Sequence, residues 1–193
     1  MSKLYFNYSS MNAGKSTLLL QAAYNYEERG MNTLLLIAAI DNRAGKGRIA
    51  SRIGLGADAD IFETNDDVFK HIHNVHETKT VHAVFVDEAQ FLTEDQVWQL
   101  ARVADELKIP VLCFGLRTDF QGKLFPGSQA LLAIADNLKE IKTICWCGRK
   151  ATMVARLDAD GNILEEGDQV VIGGEDTYVS LCRNHWRKRT LAE

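Results

Sequence analysis

There is no basic excess in this sequence, no apolar run of membrane length and no low-complexity tract. Each absence removes a class of function. The 22 Lys and Arg are outnumbered by 26 Asp and Glu, for a formal net charge of −4. A surface that neutralises a long run of phosphates needs the opposite balance, so an extended nucleic-acid track is disfavoured. The longest apolar stretches are strand-sized, well short of the roughly 20 residues that a membrane-spanning helix requires. The opening MSKLYFNYSS does not lead from a charged segment into an apolar run and a small-residue cleavage site, so no secretory signal is expected. The expected address is the cytoplasm. In that reducing setting the four cysteines read as metal ligands or packing groups rather than disulfides. Internal repeats are absent as well, and 193 residues suit one domain with a small appendage.

Strand and helix signals alternate along the first three quarters of the chain. Residues 4–8 (LYFNY) read as a short aromatic strand, and residues 15–29 favour helix, with Gly30 standing where a helix stop belongs. Residues 33–39 (TLLLIAA), 81–86 and 109–115 (IPVLCFG) are continuous apolar runs of the kind that a strand covered on both faces shows. Thr93 opens a helix in which Val97, Leu100, Ala101, Ala104 and Leu107 recur at helical spacing, with Glu94 and Asp95 in its first turn. Alternation of this kind predicts an α/β fold: a parallel sheet with flanking helices and a ligand crevice beyond the carboxyl ends of the strands. Two stretches break the rhythm. Residues 41–60, with four glycines and four basic residues, are expected to form a long, mobile loop. After Ile144 the texture changes, and alternating apolar residues around Asp158-Ala159-Asp160-Gly161 predict a hairpin. A boundary near Ile144 divides the chain into an α/β domain, residues 1–144, and a small β subdomain, residues 145–193.

Between the first strand and the first helix runs YSSMNAGKST, residues 8–17. A phosphate-binding loop has the form Gly-x-x-x-x-Gly-Lys-Ser/Thr, its backbone amides wrapping the phosphates while the lysine reaches the outer ones. Here Ser9 replaces the first glycine, and Gly14, Lys15 and Ser16 hold their places. A short match of this kind also arises in ordinary turns. A second element points the same way: Val84-Phe85-Val86-Asp87-Glu88 is an apolar strand ending in two acids. An acid in that position places Mg²⁺ together with the Ser or Thr after the loop lysine, a pairing that Asp87 and Ser16 fit. Two acids can equally mark a solvated strand end. Successive strand residues face opposite ways, so Glu88 reaches the same crevice only if the chain is already turning. A carboxylate there either orients water, giving an ATPase, or accepts a proton from a substrate hydroxyl, giving a kinase. The loop does not choose between them.

Cys145-Trp146-Cys147 and Cys182-Arg183-Asn184-His185 form two ligand pairs. Three thiolates and one imidazole make a closed tetrahedral site typical of structural zinc; the alternative is reduced, buried cysteines beside a surface histidine. Cys113 reads as a small core residue, and His71, His73, His76 and His82 as solvated side chains. Between the ligand pairs, Gly173-Gly174 allows close backbone approach to something flat, with Tyr178 packing beside it. A plain hairpin turn with a core tyrosine is the favoured reading on these residues alone.

MNAGKST, VDEAQFL, PVLCFGLRTDFQGKLF, CWCGRK and VVIGGEDTYVSLCRNH, in that order, resemble the zinc-containing (type II) thymidine kinases, the bacterial members most, from about residue 4 to about residue 185. The resemblance implies a RecA-like phosphate-loop sheet with a small zinc-ribbon subdomain. It implies transfer of the γ-phosphoryl of ATP to the 5′-hydroxyl of thymidine or deoxyuridine, giving thymidine monophosphate in deoxynucleotide salvage. By motif position, Ser9, Ser10, Met11, Asn12, Ala13, Gly14, Lys15 and Ser16 would hold ATP, together with Asp87, Glu88, Ala89 and Gln90. Ser16 and Asp87 would hold Mg²⁺, and Glu88 would accept the proton. Phe91, Leu116, Phe120 and Phe125 would surround the nucleoside, while Val171, Ile172, Gly173 and Tyr178 belong to a lasso closing over the base. Cys145, Cys147, Cys182 and His185 would bind the zinc that staples the lasso. A homotetramer inhibited by thymidine triphosphate, working in the cytoplasm without nucleic-acid or membrane partners, is also implied. Two rivals remain on the residues alone: an ATPase whose ribbon binds nucleic acid, and a non-catalytic nucleotide sensor with a zinc interaction module.

Overall fold

A computed structural model describes residues 2–41, 43–169 and 178–191. Val171, Ile172 and Gly173 of the expected lasso lie outside these residues. In chain order the main domain comprises β1 (Leu4–Ser9), α1 (Lys15–Glu27), β2 (Thr33–Ala38), β3 (Arg48–Ala50), β4 (Gly56–Asp58), β5 (Asp60–Phe62), α2 (Val68–Thr78), β6 (Ala83–Asp87), a 3₁₀ turn (Ala89–Phe91), α3 (Glu94–Glu106), β7 (Val111–Leu116), α4 (Pro126–Ile134) and β8 (Asn137–Glu140). β5, β2, β6, β7, β1 and β8 lie side by side in that order as a six-stranded sheet, and every pairing within it is parallel.

The apolar runs of the sequence form this sheet because both its faces are covered. Leu34, Leu36, Val84, Val86, Val111 and Cys113 point to one side and pack against Val68 and Ile72 of α2, Val97, Leu100 and Val103 of α3, and Leu131 of α4. Leu35, Ile37, Ala83, Phe85 and Phe114 point to the other and meet Leu19, Leu20 and Ala23 of α1. The two-residue period of a strand thus assigns each β6 residue to a layer. It puts the strand's last residue, Asp87, on the α1 side with Ala83 and Phe85. Cys113 is fully buried as expected.

The helix starts differ in a way that matters for the site. α3 begins with a complete capping box, Thr93 accepting from the Gln96 backbone N–H and Gln96 from that of Thr93. α1 begins after Gly14 in the left-handed conformation (φ 84°), with no side-chain cap and no acid in its first turn. Its leading amides are left for an outside acceptor.

Residues 41–60 do not form one long loop. β3 and β4 pair as an antiparallel hairpin whose Ile49 is fully buried in the layer beneath α1. β5 then joins the sheet edge beside β2. Three-residue strands with at most one buried side chain each are too short to leave an alternating pattern, so the glycine-rich composition hid them.

Beyond the sheet, β9 (Thr143–Ile144) pairs with β10 (Lys150–Ala151), and β11 (Met153–Arg156) with β12 (Tyr178–Leu181), both antiparallel; α5 (Arg183–Lys188) ends the unit. Leu157 and Ile163 bridge across the predicted turn at residues 158–161. Cys145, Ala151, Ala155, Leu181 and Cys182 form a separate small core. Among the described residues no helix is long and apolar enough to cross a membrane.

Candidate active site

Lys15 is the first residue of α1 and is buried. Its ammonium donates to the Ser9 hydroxyl at 3.2 Å and to the Ser10 carbonyl at 3.1 Å. Burial lowers the Lys15 pKa, opposed by the charges of Glu88 and Asp87. One residue on, the Ser16 hydroxyl donates to Asp87 Oδ2 at 2.8 Å. The phosphate loop and the acidic strand end therefore meet across the α1 face of the sheet, although they are 71 positions apart in the chain. Burial, with the Glu88 charge adding to it, pushes the Asp87 carboxyl up to about 7. A carboxylate so placed is poorly solvated and gains from a cation.

Strand alternation would send Glu88 to the opposite face. Instead β6 ends at Asp87, and Glu88 adopts a left-handed backbone (φ 52°, ψ 37°) at the head of the 3₁₀ turn. That conformation costs a non-glycine residue roughly 1–3 kcal/mol. The surroundings enforce it. A Cβ on Gly127 would stand 2.5 Å from the Ala89 carbonyl and 2.7 Å from that of Leu92, so α4 presses its glycine against the turn. The Glu88 carboxylate consequently turns into the crevice. Its Oε2 accepts from Gln90 Nε2 at 2.5 Å, and its Oε1 from Arg43 Nη2 at 2.6 Å. Gln90, itself buried, accepts the Leu116 backbone N–H on its Oε1 at 3.0 Å.

Arg43 was not anticipated from sequence. Its guanidinium donates through Nε and Nη2 to Asp41, each at 2.8 Å. The hydrogen bond to Asp41 and the charges of Glu88 and Asp41 raise its pKa against the effect of burial. Burial alone would raise Asp41, but its bonds and charge contact with Arg43 hold it below the usual carboxylate range. No sequence pattern marked Asp41 or Arg43, because their role depends on where folding brings their side chains beside the crevice.

A cleft of about 940 Å³ unites these groups. Met11, Asn12, Ala13, Gly14, Lys15 and Ser16 line one end with Asp41, Arg43, Asp87, Glu88 and Gln90. Phe91, Leu116, Phe120, Phe125 and Tyr178 line the other, with Thr118, Asp119, Val154 and Gln169, which the sequence had not singled out. Phe91 and Phe125 meet edge to face at 5.8 Å. Asp119 is buried and accepts the backbone N–H groups of Gln121 and Lys123 and the Gln169 side chain. Three expected ATP-side residues do not line the cleft: Ser9 and Ser10 sit behind Lys15 as its acceptors, and Ala89 is fully buried in the core.

Cys145, Cys147, Cys182 and His185 converge, their ligand atoms all within 4.8 Å of one another. Cys145 Sγ and Cys182 Sγ lie 3.4 and 3.5 Å from His185 Nδ1, and Cys147 Sγ lies 4.0 Å from Cys182 Sγ. Thiolates bound tetrahedrally at about 2.3 Å would be separated by roughly 3.7 Å, so the donor set fits zinc. The His71 and His73 side chains reach solvent, as expected, whereas two other histidines also hold backbone groups. His76 and His82 accept the backbone N–H groups of Val81 and Asn32 through Nδ1, and His71 pairs with Asp60.

Nearly the whole chain is similar to known proteins. The family model described as thymidine kinase matches residues 2–186. The thymidine kinase of Ruegeria pomeroyi is 67% identical over 190 residues, 98% of this chain and 96% of the relative. That of Rhizobium meliloti is 66% identical over 191 residues, 98% of each chain. That of Salmonella paratyphi A is 59% identical over 187 residues, 97% of this chain and 91% of the relative. With a phosphate loop, an acidic strand end, an aromatic cleft and a Cys₃His cluster all inside the matched span, the chain belongs to the thymidine kinase family.

Proposed function

We propose that this protein transfers the γ-phosphoryl group of ATP to the 5′-hydroxyl of thymidine, with deoxyuridine a second acceptor, and so makes thymidine monophosphate for deoxynucleotide salvage. One observation carries the reading: Glu88 and Lys15 line the same cleft as the apolar side chains of Phe91, Leu116, Phe120 and Phe125. Family membership and the names of the relatives support the same substrates.

ATP would lay its phosphates on the amides of residues 11–16, where α1 has no cap of its own. Lys15 would release its contacts with Ser9 and Ser10 for the transferring group. Ser16 and Asp87 would hold Mg²⁺, which when bound neutralises charge on the phosphate oxygens. Glu88, fixed by Arg43 and Gln90, would take the proton from the 5′-hydroxyl as the new P–O bond forms. Phe91 and Phe125 would flank the nucleoside, and the lasso residues Val171, Ile172, Gly173 and Tyr178 would close over the base. Phosphoryl transfer asks little covalent chemistry of a protein, so positioning and charge would supply most of the acceleration.

Zinc held by Cys145, Cys147, Cys182 and His185 would be structural, since four protein ligands leave no open position. On this proposal residues 1–144 form the nucleotide-binding domain and residues 145–193 the zinc-binding subdomain with its lasso. A cytoplasmic homotetramer inhibited by thymidine triphosphate completes the proposal.

Labelled ATP incubated with each common nucleoside, followed by product separation, tests it. Labelled thymidine monophosphate is the expected product. DNA-stimulated ATP hydrolysis without a phosphorylated nucleoside would replace this reading with the ATPase, and intact bound ATP after every incubation would replace it with the sensor.

A further inference from the structure

We infer that Trp186 is a positioning residue that carries the geometry of the Cys₃His cluster to the nucleoside side of the cleft. The inference rests on the thymidine kinase reading above. α5 has six residues, too few to hold a helix by its own hydrogen bonds. Two cluster ligands anchor it: Cys182 is its N-cap and His185 its third residue. A metal gripping both sets the rotation of the helix, and with it the direction of the next side chain, Trp186.

The Trp186 indole N–H forks between two carbonyls on separate segments. It donates to Phe120 O at 3.1 Å and to Val154 O at 3.0 Å. Phe120 and Val154 both line the cleft. The ring also seats the loop that carries Phe120. A Cβ on Gly122 would come within 3.4 Å of the Trp186 ring. Gly122 turns that loop with φ 81° and donates its N–H to Asp119 O at 3.2 Å. One donor therefore joins the loop bridged at Thr118 and Leu124 to β11. Loss of the metal frees the helix, and both walls lose their shared tie.

Trp186→Phe keeps most of the ring packing and removes only the donor. A neutral hydrogen bond is worth about 1 kcal/mol, so thymidine Kd and KM should rise about fivefold. Zinc content and the KM for ATP should stay at the wild-type values. The variant is tested by metal analysis, thymidine calorimetry and steady-state kinetics. In parallel, ¹⁹F spectra of protein carrying 5-fluorotryptophan give one resonance for each of the three tryptophans; Trp98→Phe and Trp146→Phe assign the other two, and the remaining Trp186 resonance should shift on chelation of the metal and again on adding thymidine. Unchanged thymidine affinity in a zinc-replete variant, or an equal loss for both substrates, overturns the inference. So does a Trp186 resonance that ignores both treatments, which decides the matter if the variant does not fold. Wild-type protein that neither binds nor phosphorylates thymidine refutes the parent reading instead, and the chelation shift still reports whether Trp186 answers to the metal.

Discussion

Arg43 Nη2 lies 2.6 Å from Glu88 Oε1 while the same guanidinium grips Asp41 through two further bonds. The bridge joins the 41–48 segment to the end of β6. It places a cation at the carboxylate proposed to accept the proton, beside the crevice where phosphoryl charge would build.

A lysine cannot reproduce that fork, because its single ammonium lacks the planar, paired donors. Arg43→Lys is expected to lower kcat for thymidine by on the order of 10², the scale seen when one preorganised donor is lost from a reacting centre. Steady-state kinetics at saturating ATP check this. A kcat within twofold of wild type would remove Arg43 from the chemistry.

Glu88→Gln retains the shape of the side chain but not its basicity. The expected loss in kcat is on the order of 10²–10⁴, the usual range for a general base, with little change in thymidine affinity. Single-turnover rates with calorimetric binding separate the two quantities, and undiminished turnover would rule Glu88 out as the acceptor.

The turn that aims Glu88 depends on a glycine three elements further on, in α4. Gly127→Ala brings a methyl group to 2.5 Å from the Ala89 carbonyl, 2.7 Å from that of Leu92 and 3.0 Å from that of Gln90. Backbone must shift, so a stability loss of about 1–3 kcal/mol is expected from overpacking, together with a fall in kcat larger than that of a surface control. Denaturant titration and kinetics on one preparation test the pairing. Wild-type values in both would show that α4 does not hold the turn.

Asp87 predicts a pH dependence. Its carboxyl is raised from 3.8 to about 7 by burial and by Glu88, so the folded protein holds a proton that the unfolded chain has lost. Its contribution is fully favourable below pH ~4, is lost as pH rises, and is gone above pH ~7, a change of a few kcal/mol at most. With no Mg²⁺ added, Tm should therefore decline across that window, and Asp87→Asn should flatten the decline. Mg²⁺ with ATP should raise Tm more at pH 8 than at pH 5. Parallel pH profiles for the two proteins would contradict this assignment.

Cys182→Ala removes one cluster ligand, at the residue from which α5 starts. Bound zinc should fall to near zero and the apparent KM for thymidine should rise, since β12 and Tyr178 lead directly into that residue. Metal analysis beside kinetics gives the answer. Full activity without metal would leave the cluster no part in shaping the cleft.

How far the sequence could be read depended on the range of the interaction. The alternation of apolar runs with helical spacing foretold the parallel sheet, because strands buried on both faces must be apolar throughout. The helix start at Thr93, the stop near Gly30 and the four cluster ligands were visible for the same reason: local chemistry restricts which residues serve there. The hairpin at residues 48–58 was invisible, with only Ile49 to mark it. So was the partnership of Arg43 with Glu88, since any arginine in a polar stretch looks alike until the chain folds. The direction of Glu88 was the open point. Strand periodicity alone sends it away from Lys15, and only the packing of Gly127 against the turn, with Gln90 and Arg43 holding the carboxylate, brings it into the cleft. Fold class and donor chemistry were written in short-range patterns, which backbone geometry reads residue by residue. The meeting of loop, acid and aromatic wall is a long-range fact, set by how sheet, α4 and the Cys₃His unit pack.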